Sequence, residues 1–292
     1  MVGLHVLAAA VPPYVLCMAV HSVPVPGGAL AVEVLEGSTE PVLAVHGISS
    51  HRRLWNWLRD VAPDLTLVAP DLRGRADSVG VLGTSTIGQH ADDMISVLDH
   101  LGLDRVHVLG MSMGGFVGVE LATRCPDRVK SLVLIDGGFP MTAPPGLTED
   151  DVDVLFADRV ARLGRRFSPE QFLEQFAATA PMLDPSDPLL LDYLAHDLDE
   201  GGRVRLSAEA LKSDFVSVFF ADSPWRSLTL PVRFAYAEFA TGPGTAPAYP
   251  DVTDYATVCT QVRFVEGVDH AGSIMTKTGA VVAAELLGEA LA

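Results

Sequence analysis

The stretch VLGMSMGGF, residues 108–116, places a serine between two glycines at the point where an apolar run ends. The run itself is typical of a buried strand, and the residues after Ser112 are typical of the start of a helix. Glycines two positions before and two positions after the serine allow a tight, strained corner, because larger side chains would clash there. The pattern therefore predicts a strand–turn–helix unit that exposes the hydroxyl of Ser112 above the edge of a sheet.

A dinucleotide-binding glycine turn is the other interpretation of this stretch. GMSMGG lacks the G-x-G-x-x-G spacing of such turns, and no acidic residue placed to bind a ribose follows about 20 residues later. An exposed serine on a strained corner is instead typical of a nucleophile.

The composition limits the partners of the chain. Its 292 residues include 37 acidic and 20 basic side chains, which gives a formal net charge of −17. Such a surface repels phosphate backbones and anionic headgroups, so we expect neither nucleic acid nor a membrane as a partner. The length suits one large α/β domain or two small ones, since domains of this class often reach about 250 residues.

Short β-branched runs alternate with longer amphipathic stretches, as in a mostly parallel sheet with helices on both faces. The runs occupy residues 41–47, 65–71, 106–112, 129–136, 231–237 and 262–267. The alternation stops between 139 and 226, where capping boxes at Thr148 and Ser168 signal two helix starts. We therefore expect an α/β core formed by residues 18–138 and 227–292, with an inserted helical lid over 139–226.

The first 17 residues are apolar, but they carry no Lys or Arg and are interrupted by Pro12-Pro13. A secretory signal needs a basic start, and a membrane span needs about 20 unbroken apolar residues. We expect residues 1–17 to be an extension before a folded protein that begins at Met18. The three cysteines are far apart and odd in number, so we expect no disulfide framework, no zinc site and a reducing, cytoplasmic location.

A serine hydroxyl is a weak nucleophile at neutral pH, so a histidine must accept its proton and an acid must orient that histidine. His270 follows the last predicted strand by a short loop, at the sheet edge where Ser112 also lies, and is the predicted base. His196 lies beside three acidic residues at positions 197, 199 and 200. Such a run could hold a metal, but it is more typical of a solvated face of the lid.

An acyl-transfer intermediate also needs amide donors for its negatively charged oxygen. The turn His46-Gly47-Ile48 follows the first predicted strand of the core, and Met113 opens the helix after the serine. Backbone N–H groups from these two places can converge on one spot beside Ser112.

Together these residues resemble the α/β-hydrolase superfamily, in its lidded branch of esterases, lactonases and related enzymes. The resemblance extends from about residue 24 to the C-terminus. In such proteins an HG turn precedes a tryptophan, here Trp55, and a D-x-R-G-x-G-x-S stretch follows the next strand. That stretch is DLRGRADS at 71–78, with Ala76 in place of a glycine. The resemblance implies oxyanion amides from Ile48 and Met113, a lid between Asp136 and Trp225, and no cofactor.

The chain departs from this family where the acid of the triad is expected. The stretch after the penultimate strand is YAEFATGPG, with Ala240 where family members usually carry an aspartate. Two carboxylates could replace it: Asp136, which ends the strand before the lid, and Glu238. Asp136 is favoured, because the end of a central strand lies on the same sheet edge as Ser112.

The sequence therefore predicts a serine hydrolase that cleaves a carboxylic ester or a lactone. The alternatives are a receptor-like binding protein that kept the pocket without turnover, and a C–C bond hydrolase or acyltransferase using the same residues. We expect a small hydrophobic substrate, and the sequence specifies no oligomeric state. The residues expected to line an apolar lid are Phe139, Met141, Phe156, Phe219, Phe220 and Trp225.

Overall fold

The computed structural model describes residues 18–141 and 148–292, so the expected extension over residues 1–17 lies outside the described residues. One eight-stranded sheet, in the order β1-β2-β4-β3-β5-β6-β7-β8, forms the centre of the molecule. Its strands are β1 (Met18–Val25), β2 (Gly28–Leu35), β3 (Val42–Val45), β4 (Leu67–Pro70), β5 (Val106–Met111), β6 (Val129–Ile135), β7 (Val232–Phe239) and β8 (Gln261–Asp269). Strands β3 to β8 are parallel, whereas β1 and β2 form an antiparallel hairpin at one end. The six predicted strands correspond to β3 to β8, and the hairpin was not predicted.

Helices cover both faces of the sheet, which confirms the predicted α/β class. They are α1 (Asn56–Val61), α2 (Ile87–His100), α3 (Met113–Arg124), α8 (Gly272–Met275) and α9 (Lys277–Leu291). Met94 of α2 and Val117 of α3 belong to one buried apolar cluster, and Leu58 of α1 and Leu286 of α9 belong to another. Within the described residues, none of the helices has the length and apolar composition needed to cross a membrane.

Residues 139–226, which lie between β6 and β7, are called the inserted segment below. Its described part holds α4 (Val152–Leu163), α5 (Pro169–Thr179), α6 (Pro188–Asp197) and α7 (Ala208–Phe220). Both predicted capping boxes form: the Thr148 amide donates to Asp151, and the Ser168 amide donates to Gln171. These side chains satisfy backbone N–H groups that the first helical turn leaves without intrahelical partners.

The strand order brings several strand ends to one edge. After β3 the chain places β4 on one side of β3 and β5 on the other, which is a topological switch point. Val45 at the end of β3 pairs with Gly110 of β5, and Met111 pairs with Ile135 of β6. The loops that follow β3, β5 and β6 therefore emerge next to one another, at the position where ligands bind in open α/β sheets.

Candidate active site

Ser112 lies on the corner between β5 and α3. Its backbone φ is 54° and its ψ is −122°, in a region that non-glycine residues rarely adopt, and its amide donates to the carbonyl of Ile135 at 2.9 Å. A Cβ atom on Gly110 would lie 2.4 Å from the carbonyl oxygen of Gly114, and one on Gly114 would lie 1.9 Å from that of Val45. Only glycine fits at both positions, so the corner has the geometry that the sequence predicts.

Three side chains form a continuous hydrogen-bonded row at this edge. His270, in the loop after β8, places Nε2 3.0 Å from the hydroxyl oxygen of Ser112. Its other ring nitrogen, Nδ1, lies 2.6 Å from Oδ2 of Asp136. The Asp136 side chain is 1% exposed, Ser112 is 9% exposed and the side chain of His270 is 30% exposed, so the carboxylate is the most deeply buried member of the row and the imidazole is the most accessible.

Asp136 is held rigidly by the strand next to its own. Its amide donates to the carbonyl of Ala235 at 2.8 Å, and its Oδ1 accepts the amide of Ala237 at 3.0 Å. Its φ of 44° is left-handed, as at Ser112. Glu238 instead accepts the amide of Gly267 at 2.7 Å, and within the described chain it makes no hydrogen bond to His270. Of the two candidate acids, the structure brings Asp136 to the histidine.

The surroundings of His270 act on its pKa in opposite directions. Burial of the ring lowers the pKa, but the hydrogen bond and negative charge of Asp136, together with the charge of Asp269, outweigh this effect. The net result is a pKa above the ordinary value of 6.5. A raised pKa favours the imidazolium that forms when a histidine accepts the proton of a serine.

The turn after β3 is fixed by the neighbouring histidine. His46 is fully buried, and burial lowers its pKa to about 3, so the ring is neutral. Its Nε2 accepts the amide of Leu72 at 3.0 Å, which leaves Nδ1 to donate to the carbonyl of Gly47 at 2.8 Å. The carbonyl of Gly47 and the amide of Ile48 belong to one trans peptide unit and point in opposite directions. The bond from His46 therefore sets the direction of the Ile48 N–H.

The two amides predicted for the oxyanion site are both available. Among residues 18–141 and 148–292, neither the Ile48 amide nor the Met113 amide donates a hydrogen bond to another group. The turn and the corner also lie close together, since a Cβ on Gly47 would approach the Cβ of Ser112 to 3.2 Å. This arrangement leaves two donors beside the serine for an added oxygen atom.

The residues expected to line the lid separate into two groups. Phe156 is buried in a small apolar cluster with Leu211, against which Ile48 and Phe220 pack. Met141 and Phe219 are partly buried against the core cluster on the α2 and α3 face. This first group stays a prediction for substrate contact.

Phe139 and Trp225 form the second group and are core residues in the structure. The exposed fraction of Phe139 is 0%, and its ring packs 5.5 Å from Trp225, 4.9 Å from Phe234 and 4.6 Å from Tyr255. Because these faces are taken by other aromatic rings, we assign both residues to packing in place of the predicted substrate contact.

The interpretation of the acidic run at His196 as a solvated face was wrong for His196 and Asp197, whereas Asp199 and Glu200 are exposed as predicted. His196 and Asp197 are buried, because α6 lies against the core and stacks Tyr193 on His51 with ring centroids 4.2 Å apart. Potential ligand atoms of His51, Asp71 and His196 lie within 4.8 Å of one another. However, Asp71 already accepts the guanidinium and amide of Arg52. A cation would have to displace that guanidinium, so we assign no metal site here.

The family model for the alpha/beta hydrolase fold matches residues 40–180. Together with the sheet order and the corner at Ser112, this match shows that the chain has the α/β-hydrolase fold.

Several known proteins are similar to this chain in sequence or in fold. Lipase LipV of Mycobacterium tuberculosis is 38% identical over 95 residues, which are 32% of this chain and 36% of the lipase. The chain thus spans about a third of the length of the curated relatives it matches. An esterase from Thermogutta terrifontis superposes with a TM-score of 0.68 at 20% identity, covering 94% of this chain and 100% of the esterase. The N-acyl homoserine lactonase AidH superposes with a TM-score of 0.64 at 20% identity, covering 94% and 96%. At these identities the structural matches establish the fold alone.

Proposed function

We propose that the protein is a serine hydrolase that cleaves a carboxylic ester or lactone through an acyl-enzyme on Ser112. The observation that carries this proposal is the row of contacts from Asp136 through His270 to Ser112, at 2.6 and 3.0 Å. Each nitrogen of the imidazole faces the partner that a triad requires, since Nδ1 faces the carboxylate and Nε2 faces the hydroxyl.

In the first half of the reaction, the hydroxyl oxygen of Ser112 attacks the carbonyl carbon of the ester while Nε2 of His270 takes the hydroxyl proton. The carbonyl oxygen becomes negatively charged and accepts hydrogen bonds from the amides of Ile48 and Met113. Asp136 stabilises the imidazolium and keeps its Nδ1–H in place. The tetrahedral intermediate then collapses, the C–O bond to the alcohol breaks, and His270 returns its proton to the leaving oxygen.

In the second half, water takes the place of the alcohol. His270 accepts a proton from the water, whose oxygen attacks the acyl carbon, and the same two amides hold the second oxyanion. Collapse releases the carboxylic acid and returns the proton to Ser112. In a lactone the alcohol and the acid are parts of one molecule, so the product is a hydroxy acid.

The substrate we propose is small and hydrophobic. Ile48, beside the serine, packs against the apolar cluster of α4 and α7. An apolar surface next to the nucleophile favours binding of a hydrophobic acyl chain. A cavity of about 260 Å³ borders the same turn at Ser49. Its apolar lining is provided by Leu163, Phe167, Phe172, Phe176 and Leu206. This volume lies just below the range of pockets for drug-sized ligands, about 300 to 1,000 Å³.

The inserted segment serves as the lid in this proposal, with residues 18–138 and 227–292 as the core. Esterases and a lactonase among the structural neighbours support the reaction class by name. A cytoplasmic location remains the prediction from the cysteine pattern, and Cys125 and Cys259 are free thiols in the structure.

A fluorophosphonate probe tests the proposal, because it forms an adduct only with an activated serine. We expect one adduct per chain, located on Ser112 by peptide mass spectrometry and absent from Ser112→Ala. A series of p-nitrophenyl esters of increasing chain length, run beside a panel of lactones, then defines the acyl group. A chain that folds but takes no adduct would favour the receptor-like alternative, whereas an adduct without hydrolysis of either panel would favour C–C bond cleavage or acyl transfer.

A further inference from the structure

Arg75 is a fully buried arginine that touches the turn carrying Ile48. It is 1% exposed, and two of its nitrogens, Nε and Nη2, donate to the carbonyl oxygen of Ile48 at 3.0 and 2.8 Å. A third nitrogen, Nη1, donates to the carbonyl of Arg73 at 2.6 Å. The planar guanidinium thus ties the loop after β4 to the turn after β3, as a single point charge could not.

These bonds complete the fixation of Ile48. The peptide unit before Ile48 is held by the bond from His46 to the carbonyl of Gly47. The peptide unit after Ile48 is held by the two bonds from Arg75 to the carbonyl of Ile48. The Ile48 amide belongs to the first unit, and the second unit fixes the Ile48 Cα to which the first is joined, so the placement of the amide depends on both contacts.

Arg75 is itself held by the inserted segment. Its Nη2 lies 2.5 Å from Oδ2 of Asp214, a residue of α7 that is 0% exposed. Asp214 also accepts the hydroxyl of Ser85 at 2.8 Å and lies 3.1 Å from Nε2 of His90. A buried carboxylate with this many donors is rigid, so it fixes the guanidinium in one position.

We propose that Arg75 is a positioning residue for the oxyanion site, and that Asp214 makes its position depend on the docking of α7 against the core. The inference rests on the proposed function, in which the Ile48 amide stabilises the oxyanion. A donor of this kind contributes about 10²- to 10³-fold to kcat, and its contribution depends on placement to within about 1 Å. Contacts of the lid with the core thereby act on the chemical step.

The chain supplies a matched control in the same loop. Arg73 is 2% exposed and forms a two-pronged ion pair with Asp93 of α2, at 2.8 and 2.7 Å. Its remaining bonds go to the carbonyls of Leu82 and Pro26, away from Ile48. The two arginines are therefore alike in burial and pairing and differ in whether they hold the oxyanion turn.

The experiment compares Arg75→Lys with Arg73→Lys, and Asp214→Asn with Asp93→Asn. Steady-state kinetics on a p-nitrophenyl ester are expressed per active serine, which is counted by complete fluorophosphonate labelling. For Arg75→Lys we expect kcat to fall about 10- to 100-fold, which is less than the loss caused by removing one oxyanion donor altogether, because the Ile48 amide is misplaced but still present. KM and the pH midpoint of kcat/KM should be unchanged. Asp214→Asn should lower kcat about 3- to 10-fold by the same route, and both control variants should stay within about 3-fold.

Binding of a boronic acid gives a second measurement, because its tetrahedral adduct on Ser112 places an oxygen in the oxyanion site. Its affinity should fall with kcat in Arg75→Lys and stay near the wild-type value in Arg73→Lys. Equal losses in the two lysine variants, in kcat and in boronate affinity, would overturn the inference and leave the proposed function intact. Should Arg75→Lys not fold, the pair Asp214→Asn and Asp93→Asn decides in the same way. A folded wild type that neither hydrolyses the esters nor labels at Ser112 overturns the proposed function and the inference with it.

Discussion

Two clusters among the described residues each consist of one serine, one histidine and one aspartate, and they differ in how the histidine is used. The triad cluster consists of Ser112, His270 and Asp136, and the interior cluster consists of Ser85, His90 and Asp214. In the triad cluster Nδ1 faces the carboxylate and Nε2 faces the serine. In the interior cluster Nε2 faces both partners, while Nδ1 has no hydrogen-bond partner among the described residues.

Exposure and charge separate the clusters further. Ser85 is 3% exposed, and its hydroxyl donates a hydrogen bond directly to Asp214. The charge of Asp214 is balanced by Arg75. His270 keeps 30% of its side chain exposed. A histidine that places its two nitrogens on different partners can relay a proton from the serine. The interior arrangement offers no such relay and joins α7 to the core. Connectivity and access, more than residue type, therefore assign chemistry to a Ser-His-Asp group.

The largest expected effect is that of Ser112→Ala, which removes the nucleophile. Hydrolysis of a p-nitrophenyl ester should fall by about 10⁶-fold, because loss of a triad serine costs about that much in other enzymes. Alanine fits the corner as well as serine does, so the melting temperature should hardly change. Appreciable hydrolysis by clean mutant protein would contradict the mechanism.

Asp136→Asn should have the next largest effect, about 10⁴-fold in kcat. The amide cannot hold the imidazole tautomer that presents Nε2 as an acceptor to Ser112. Stopped-flow or discontinuous assays on an activated ester measure the residual rate.

Glu238→Gln is the matched control for this carboxylate, because Glu238 bonds the amide of Gly267 and not the histidine. It should change kcat by less than about 10-fold. The reverse order of the two variants would transfer the acid to Glu238, and two near-normal variants would indicate a Ser-His dyad.

Much of the fold could be predicted because the six parallel strands are short, continuous apolar runs separated by amphipathic helices. The hairpin β1-β2 could not be predicted in this way, since Pro24 interrupts the strand pattern of β1. Proline is tolerated there because β1 is the edge strand of the sheet and leaves one side unpaired.

The contacts of the candidate site were predictable where they depend on strand ends. Ser112 and Asp136 follow neighbouring parallel strands, so the topology alone brings them to one edge. The interior cluster was not predictable in this way, because Ser85 and Asp214 are 129 residues apart and meet only when α7 packs on the core. The packing of α6 against the core likewise buries His196 and Asp197, which the sequence pattern predicted to be solvated. The packing of a helix on the core leaves no local pattern in the sequence comparable to that of a strand end.

Ser85→Ala should affect stability more than rate. It removes the donor 2.8 Å from Asp214 and leaves that buried carboxylate with Arg75 and His90. We expect the free energy of unfolding to fall by about 1 to 3 kcal/mol, measured by urea denaturation, with kcat within about 10-fold of wild type. A loss of activity comparable to that of Ser112→Ala would mean that the interior cluster takes part in the chemistry.

The smallest expected effect is a shift in pH dependence, and it tests how the triad cluster tunes its histidine. Below its pKa, His270 is protonated and cannot accept the serine proton, so kcat/KM should rise with pH and level off above that pKa. Burial lowers the pKa, while the bond and charge of Asp136 raise it above 6.5, with a further contribution from Asp269. Asp136→Asn removes the negative charge but leaves the ring buried, so the midpoint of its residual activity should move to lower pH.

Two further variants serve as controls for this shift. Glu238→Gln should leave the midpoint in place, and His270→Ala should abolish the rise of kcat/KM with pH. A midpoint that stays fixed or moves upward in Asp136→Asn would mean that the carboxylate does not govern the protonation of His270.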